Sequence, residues 1–191
     1  SIAVWPWGTY LGDDGVKNGV RMKISTWRRM DPNINPVAAK GTGIYINSSL
    51  AKVEALHGGY DEAILLNTNG SVAEATGENV FVVKDGKIWT PPLSTSILPG
   101  ITRDSVIQIA QDLGYVVEEA NVIRSDLYLA DEFFMTGTAA EVTPVRAVDD
   151  QELGVGPVTR EIQGHYLDTV NGRSDRWSHW LDVVDVVPAE A

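Results

Sequence analysis

The sequence contains no cysteine. That one absence excludes disulfide scaffolds, thiolate-held zinc, iron–sulfur clusters and thiol nucleophiles. Basic residues are also scarce: 15 Lys and Arg stand against 26 Asp and Glu, a formal charge of −11. A balance so acidic argues against nucleic acid as a partner, because phosphate binding needs a basic face. No apolar run approaches the length of a membrane span and no basic-then-apolar leader is visible, so the expectation is a cytoplasmic protein with no membrane partner. His57, His165 and His179 lack the spacing of metal ligands, and no metal is expected. No G-x-G-x-x-G, P-loop or G-x-S-x-G signature occurs. What remains is a chain of 191 residues, 43% apolar and 21% charged, suited to one large globular core. Its charge is uneven. Residues 1–30 hold five bases and two acids, whereas residues 131–191 hold four bases and twelve acids, which reads as a solvated acidic surface.

Strands and helices alternate, so the fold class is mixed α/β or α+β. Val20–Trp27 alternates and reads as a strand, as do Glu62–Leu66, Tyr115–Val117 and Glu132–Thr136. Asn79–Val83 and Lys87–Thr90 read as a hairpin across Asp85-Gly86. A helix is predicted over Tyr45–His57, with Ile46, Leu50, Val53 and Leu56 on its buried face and Gly58-Gly59 ending it. Further helices are predicted over Thr102–Leu113 (Thr102 as N-cap), Arg124–Ala130 (capped at Ser125) and Pro157–Asn171 (Val158, Ile162, Tyr166 and Val170 on one side).

Four places could carry chemistry. Lys40 lies in the small-residue loop AAKGTG, with no other charge between Asp31 and Lys52. Such a lysine is readily desolvated, which favours the neutral amine that a Schiff base needs; an ordinary exposed loop lysine is the alternative. Glu74 and Glu78 lie in AEATGEN, where Gly77 points to a loop. One acid could be buried to pair with a protonated ring nitrogen, or both could decorate a surface turn. Leu98-Pro99-Gly100-Ile101-Thr102 leads into a helix, where free N–H groups and a Thr hydroxyl can hold an anion or simply cap. Gly137-Thr138-Ala139-Ala140 follows a strand and lets a ligand approach the backbone, or packs as a tight turn.

The order of these blocks is more specific than any one of them. AAKGTGIYINSSLAKVEA, GYDEAILLNTNGSVAEATGENVFVV, LPGITRDSV and LYLADEFFMTGTAAEVTPVRAVD together resemble the fold-type IV pyridoxal-phosphate aminotransferases, and within them the branched-chain amino acid enzymes. The resemblance runs from about Trp5 to Leu181, and the closing DRWSHWLDVV shares it. It implies a D-amino-acid aminotransferase-like fold, with a strand pseudo-barrel and surrounding helices. It also implies pyridoxal 5′-phosphate as cofactor, branched-chain amino acids and 2-oxo acids (2-oxoglutarate among them) as substrates, and a homodimer or larger homo-oligomer.

On the same resemblance, Lys40 is the catalytic Schiff-base lysine and Glu74 the partner of the pyridine nitrogen. Tyr45 lies near the cofactor's phenolic oxygen. Ile101, Thr102 and Thr138 hold the phosphate, with Leu98 and Gly100 of the same loop also at the cofactor. Glu78 and Asn79 support the cofactor. Tyr10, Gly77, Thr138 and Ala139 face the substrate. Ile44 stands where many relatives carry Asn. Relatives acting on D-amino acids or aminodeoxychorismate share the fold, and a chain that holds the cofactor without turnover is a further reading. The expected division is a linker over residues 1–15 and a cofactor domain over 16–191. The family's smaller N-terminal domain, and the arginine it gives to the phosphate, are expected to be missing.

Overall fold

A computed structural model describes residues 3–6 and 8–184; Ser1, Ile2, Trp7 and the last seven residues of the 16–191 stretch lie outside it. The helices are α1 (Gly12–Asn18), α2 (Tyr45–His57), α3 (Ile101–Asp112), α4 (Arg124–Tyr128) and α5 (Pro157–Val170). The strands are β1 (Val20–Arg28), β2 (Glu62–Leu66), β3 (Val72–Ala75), β4 (Asn79–Lys84), β5 (Lys87–Thr90), β6 (Val116–Glu119), β7 (Glu132–Gly137), β8 (Glu141–Val148) and β9 (Gln151–Glu152).

The strands form one mixed sheet in the order β3-β2-β1-β8-β7-β4-β5-β6, with β9 on β8. β1 runs parallel to both β2 and β8, while β7 runs antiparallel to β4 and β8. The sheet curls back on itself. The Val72 N–H donates to Val122 O at 2.8 Å and Ser71 bridges Ile123, so the β3 edge meets the segment after β6. This is the expected pseudo-barrel. Closing the edges satisfies backbone groups that an open sheet would leave exposed.

Apolar side chains fill both sides of the sheet. Met22, Ile64, Val80, Val82, Phe133 and Met135 pack inside the curl. Outside, Phe81 and Phe134 stack with ring centroids 4.8 Å apart beneath Val106 and Ile109 of α3 and Ile162 of α5. β4 therefore reads as an unbroken apolar run, because each of its faces meets a core. The start of α5 is fixed by the buried Glu132, whose carboxylate accepts the Val158 and Thr159 N–H groups at 3.0 and 2.7 Å. A Cβ at Gly156 would lie 2.0 Å from the Glu132 side chain, so only glycine fits there.

Several expectations need correction. α2 has the predicted limits but the opposite orientation. Asn47, Ser48, Ala51 and Ala55 are buried, while Ile46, Leu50, Val53 and Leu56 are 65, 41, 50 and 54% exposed. The small residues let the helix approach Ala63 and Leu65 of β2 closely, and Asn47 Nδ2 donates to Arg28 O at 3.0 Å. α3 starts at Ile101 with Gly100 as its N-cap, so Thr102 sits inside the first turn instead of capping it. α4 starts at Arg124, and Asp126, not Ser125, accepts the Ile123 N–H at 2.9 Å. On α5, Ile162 and Tyr166 are buried but Val170 is exposed. The Ala73–Asn79 stretch is a strand, a turn and the start of another strand, and β8 follows the glycine turn directly.

Candidate active site

Arg29, just past β1, meets Glu74 of β3 in an ion pair of 2.6 Å between two side chains that are 5 and 6% exposed. The pairing of β1 with β2, and of β2 with β3, brings them together. Arg29 Nε also donates to Ser96 O at 3.1 Å. The other Glu74 oxygen accepts the Leu98 N–H at 2.9 Å and Asn79 Nδ2 at 3.2 Å. Burial pushes Glu74 up to about 7, with Arg29 and the Leu98 N–H acting in the opposite direction. Asn79 Nδ2 also donates to Leu98 O at 2.9 Å, locking the approach to α3. A Cβ at Gly100 would fall 2.2 Å from Asn79 Oδ1, so that position must be glycine for reasons of space.

Lys40 lies between two short 3-10 turns, Val37–Ala39 and Thr42–Ile44, in left-handed backbone with φ 51° and ψ 36°. A lysine held there costs on the order of 1–3 kcal/mol, a strain that clusters at functional sites. The expected desolvation is not found: Lys40 is exposed. Its side chain lines two cavities. One, about 20 Å³, is walled by Arg29, Tyr45, Glu74, Glu78, Asn79 and Leu98. The other, about 290 Å³, runs along the Leu98–Thr102 loop to Thr136, Gly137 and Thr138. No side chain caps α3, so its first N–H groups are without a side-chain acceptor at the Gly100 end of this cavity.

A group of acids surrounds the Glu74 side of the site. Glu62 is fully buried and accepts Lys52 Nζ, the Ala63 N–H and the Thr76 hydroxyl, each at 2.7 Å. Glu78 accepts the Gly77 N–H at 3.1 Å. Burial, then the neighbouring Glu62 charge, pushes it well above the usual carboxylate range. Tyr10 is pushed up to about 12 by burial and by the charges of Glu78 and Glu62. It lines a further cavity of about 340 Å³ with Tyr45, Ser48, Lys52, Thr76 and Gly77. Tyr45 and Gly77 therefore join the Tyr10 side to the Lys40 side.

Lys40, Tyr45, Glu74, Glu78, Asn79, Gly77 and the Leu98–Thr102 loop thus converge, with Thr138 at the far wall. Ala139 is exposed in the turn beside Thr138 and lines none of these cavities. Sequence reasoning missed Arg29, Glu62 and Thr136. A charged residue opening the apolar EAILL, and a second arginine after a strand, were the available signals.

Comparison with known proteins follows the same lines. The family model of class IV amino-transferases matches residues 1–148. The branched-chain-amino-acid aminotransferase of Escherichia coli (strain K12) is 48% identical over 188 residues, covering 96% of this chain and 60% of the relative. The chain thus spans about 60% of the length of the curated relatives it matches. The crystal structure of the branched-chain aminotransferase from Thermoproteus uzoniensis with norvaline superposes with a TM-score of 0.91 at 48% identity, over 94% of this chain and 59% of that one. The T.th. branched-chain amino acid aminotransferase with pyridoxamine 5′-phosphate gives 0.89 at 48% identity, over 95% and 60%.

Proposed function

The chain belongs to the class IV aminotransferase family, and from that footing we propose that it forms the cofactor-holding part of a pyridoxal 5′-phosphate-dependent transaminase of branched-chain L-amino acids. In this reading residues 16–191 are the cofactor domain and 1–15 a linker. The amino acceptor is 2-oxoglutarate, and the working form is a cytoplasmic homo-oligomer. No helix among the described residues is long and apolar enough to cross a membrane.

One observation carries the reading: Lys40 lines the same small cavity as the buried, arginine-paired Glu74. The residues fit the cofactor in three further respects. The cavity along α3 is walled by small residues and by one cation, with no acid. The first turn of α3 is uncapped. A Cβ at Gly77 would meet nothing within 4 Å, which leaves the space beside it for a flat ring.

When bound, the cofactor supplies an electron sink for the charge that develops at the substrate Cα. Glu74 holds the proton on the ring nitrogen, and three donors keep its carboxylate in place. Lys40 would hold the cofactor through Nζ and, once substrate displaces it, would move the proton at the substrate Cα. Tyr45 donates to the phenolic oxygen. Ile101, Thr102 and Thr138 would hold the phosphate at the α3 N-terminus, with Leu98 and Gly100 beside the cofactor and Glu78 and Asn79 supporting it on the Glu74 side. Tyr10, Gly77 and the Thr138-Ala139 turn receive the substrate.

Pyridoxal phosphate added to the purified chain should give an absorbance band that borohydride fixes as a covalent Lys40 adduct, located by peptide mass mapping. Lys40→Ala should give no such adduct; a reducible band retained by that variant would sink the assignment. A panel of L-Leu, D-Ala and aminodeoxychorismate tests the substrate class, with L-Leu expected to be processed.

A further inference from the structure

Thr136 is the residue before the last of β7 and is 1% exposed. Its hydroxyl has no hydrogen-bond partner in the chain. Thr159 is likewise buried and unpaired, but other buried threonines are not. Thr76 donates to Glu62, Thr90 to Val80 O at 2.8 Å and Thr143 to Ala140 O at 2.7 Å. A buried hydroxyl left unpaired is unfavourable, so native structures rarely keep one without a use.

The strand fixes the face on which this side chain stands. Side chains two apart share a face, and Phe134 packs against Val106 and Ile109 of α3. Thr136 therefore stands on the α3 side of β7, one step nearer the N-terminus of that helix. It pairs with Asn79 of β4, whose side chain lies against Gly100. It also lines the cavity of about 290 Å³ that runs along Gly100, Ile101 and Thr102. Two independent features thus meet in one space: a twelve-residue helix with no side-chain cap, and a buried donor with nothing to bond. Lys40 is the cation in the wall, and no carboxylate is present there.

We infer that the Thr136 hydroxyl is a further ligand for the anionic tail of the bound group, a phosphate monoester, donating to it beside the first turn of α3. The inference rests on the cofactor reading above and extends it to a residue that reading does not include. Phosphate has three terminal oxygens and accepts several donors at once. Thr138 is exposed, whereas Thr136 is held in place by burial.

The test compares pyridoxal 5′-phosphate with pyridoxal, which lacks the phosphate, on the wild-type chain, Thr136→Val and Thr136→Ser. Affinities are read by absorbance titration, and thermal midpoints are measured without ligand. Thr136→Val should bind pyridoxal phosphate about 10- to 100-fold more weakly, the size of one hydrogen bond to a charged group. Its affinity for pyridoxal should stay at the wild-type value. Its ligand-free midpoint should hold or rise, because a methyl replaces an unpaired hydroxyl of the same shape. Thr136→Ser should restore binding of the phosphate form. An unchanged affinity of Thr136→Val for pyridoxal phosphate overturns the inference while leaving the cofactor reading intact. So does an equal loss for both ligands, or a fall in the ligand-free midpoint. Failure of the wild-type chain itself to bind pyridoxal phosphate overturns the cofactor reading, and the inference with it.

Discussion

The stacked Phe81–Phe134 core and the acid cluster around Glu74 are both buried, and they behave in opposite ways. The first is apolar on every side, lying between β4, β7, α3 and α5. Burying it contributes stability in proportion to its area. The second collects Glu62, Glu74 and Glu78 in the same interior, with Arg29 and Lys52 as the paired cations. Taking those charges out of water costs more than an apolar cluster of equal size would. One end of the sheet therefore stabilises the fold, and the other holds groups whose value is chemical. The difference teaches that burial alone does not mark a core in this chain; the sign of its contribution does.

The sharpest way to break this comparison is Phe134→Ala, which should lower the unfolding free energy by about 3–5 kcal/mol in denaturant titration. A loss below about 1 kcal/mol would show that the outer core adapts and would erase the contrast. Arg29→Leu should cost about 3 kcal/mol, because it leaves Glu74 buried without its cation. That loss should be larger at pH 8 than at pH 6, since the lone Glu74 can take up a proton at the lower pH. A pH-independent loss would mean that packing, not charge, is what Arg29 supplies.

Glu78→Gln should act with the opposite sign. Glu78 has a folded value raised above its ordinary 4.5, so the folded state holds more protons than the unfolded state once the pH exceeds that value. Stability then falls as pH rises from about 4.5 through the raised value. The glutamine variant should flatten that slope and gain on the order of 2 kcal/mol at pH 8, read from thermal midpoints across a pH series. Smallest is Glu132→Ala, which removes the acceptor for the α5 N-terminus and should cost about 1 kcal/mol. Glu132 is as buried as Glu78 but fully partnered, so a gain on its removal would contradict the distinction drawn between them.

Much of this was legible in the sequence where local chemistry decides. β2, β5 and the limits of α2 fall where turn residues and periodicity put them. The candidate site is legible through the order of its blocks, which bring Lys40, Glu74, Thr102 and Thr138 into the resemblance, and the last three line the two cavities that Lys40 also lines. β3 was not, because its four residues are buried on both faces and carry Glu74, so no alternation survives. β8 was hidden by Pro144 and Arg146 in its middle. The exposed stripe of α2 misled because its inner face is made of small and polar residues, which hydrophobic periodicity does not count. Arg29 and Thr136 acquire meaning only across strands: one from a carboxylate on another strand, the other from a partner it lacks.

The parallel pairing of β1 with β8 has a consequence for how the molecule is made. Ile24 reaches Asp149 across 125 positions of sequence, at 2.9 Å. During synthesis β1 therefore waits, with one edge unpaired, until most of the chain has emerged. Contacts of such long range form slowly, and unpaired edges are sticky in the meantime. Lys40, Glu74 and the α3 loop are all translated before β8 and can gather early, whereas the curl that aligns them closes late. Substitutions along the β1–β8 seam should therefore lower the yield of folded protein in the cell before they alter the chemistry of what does fold.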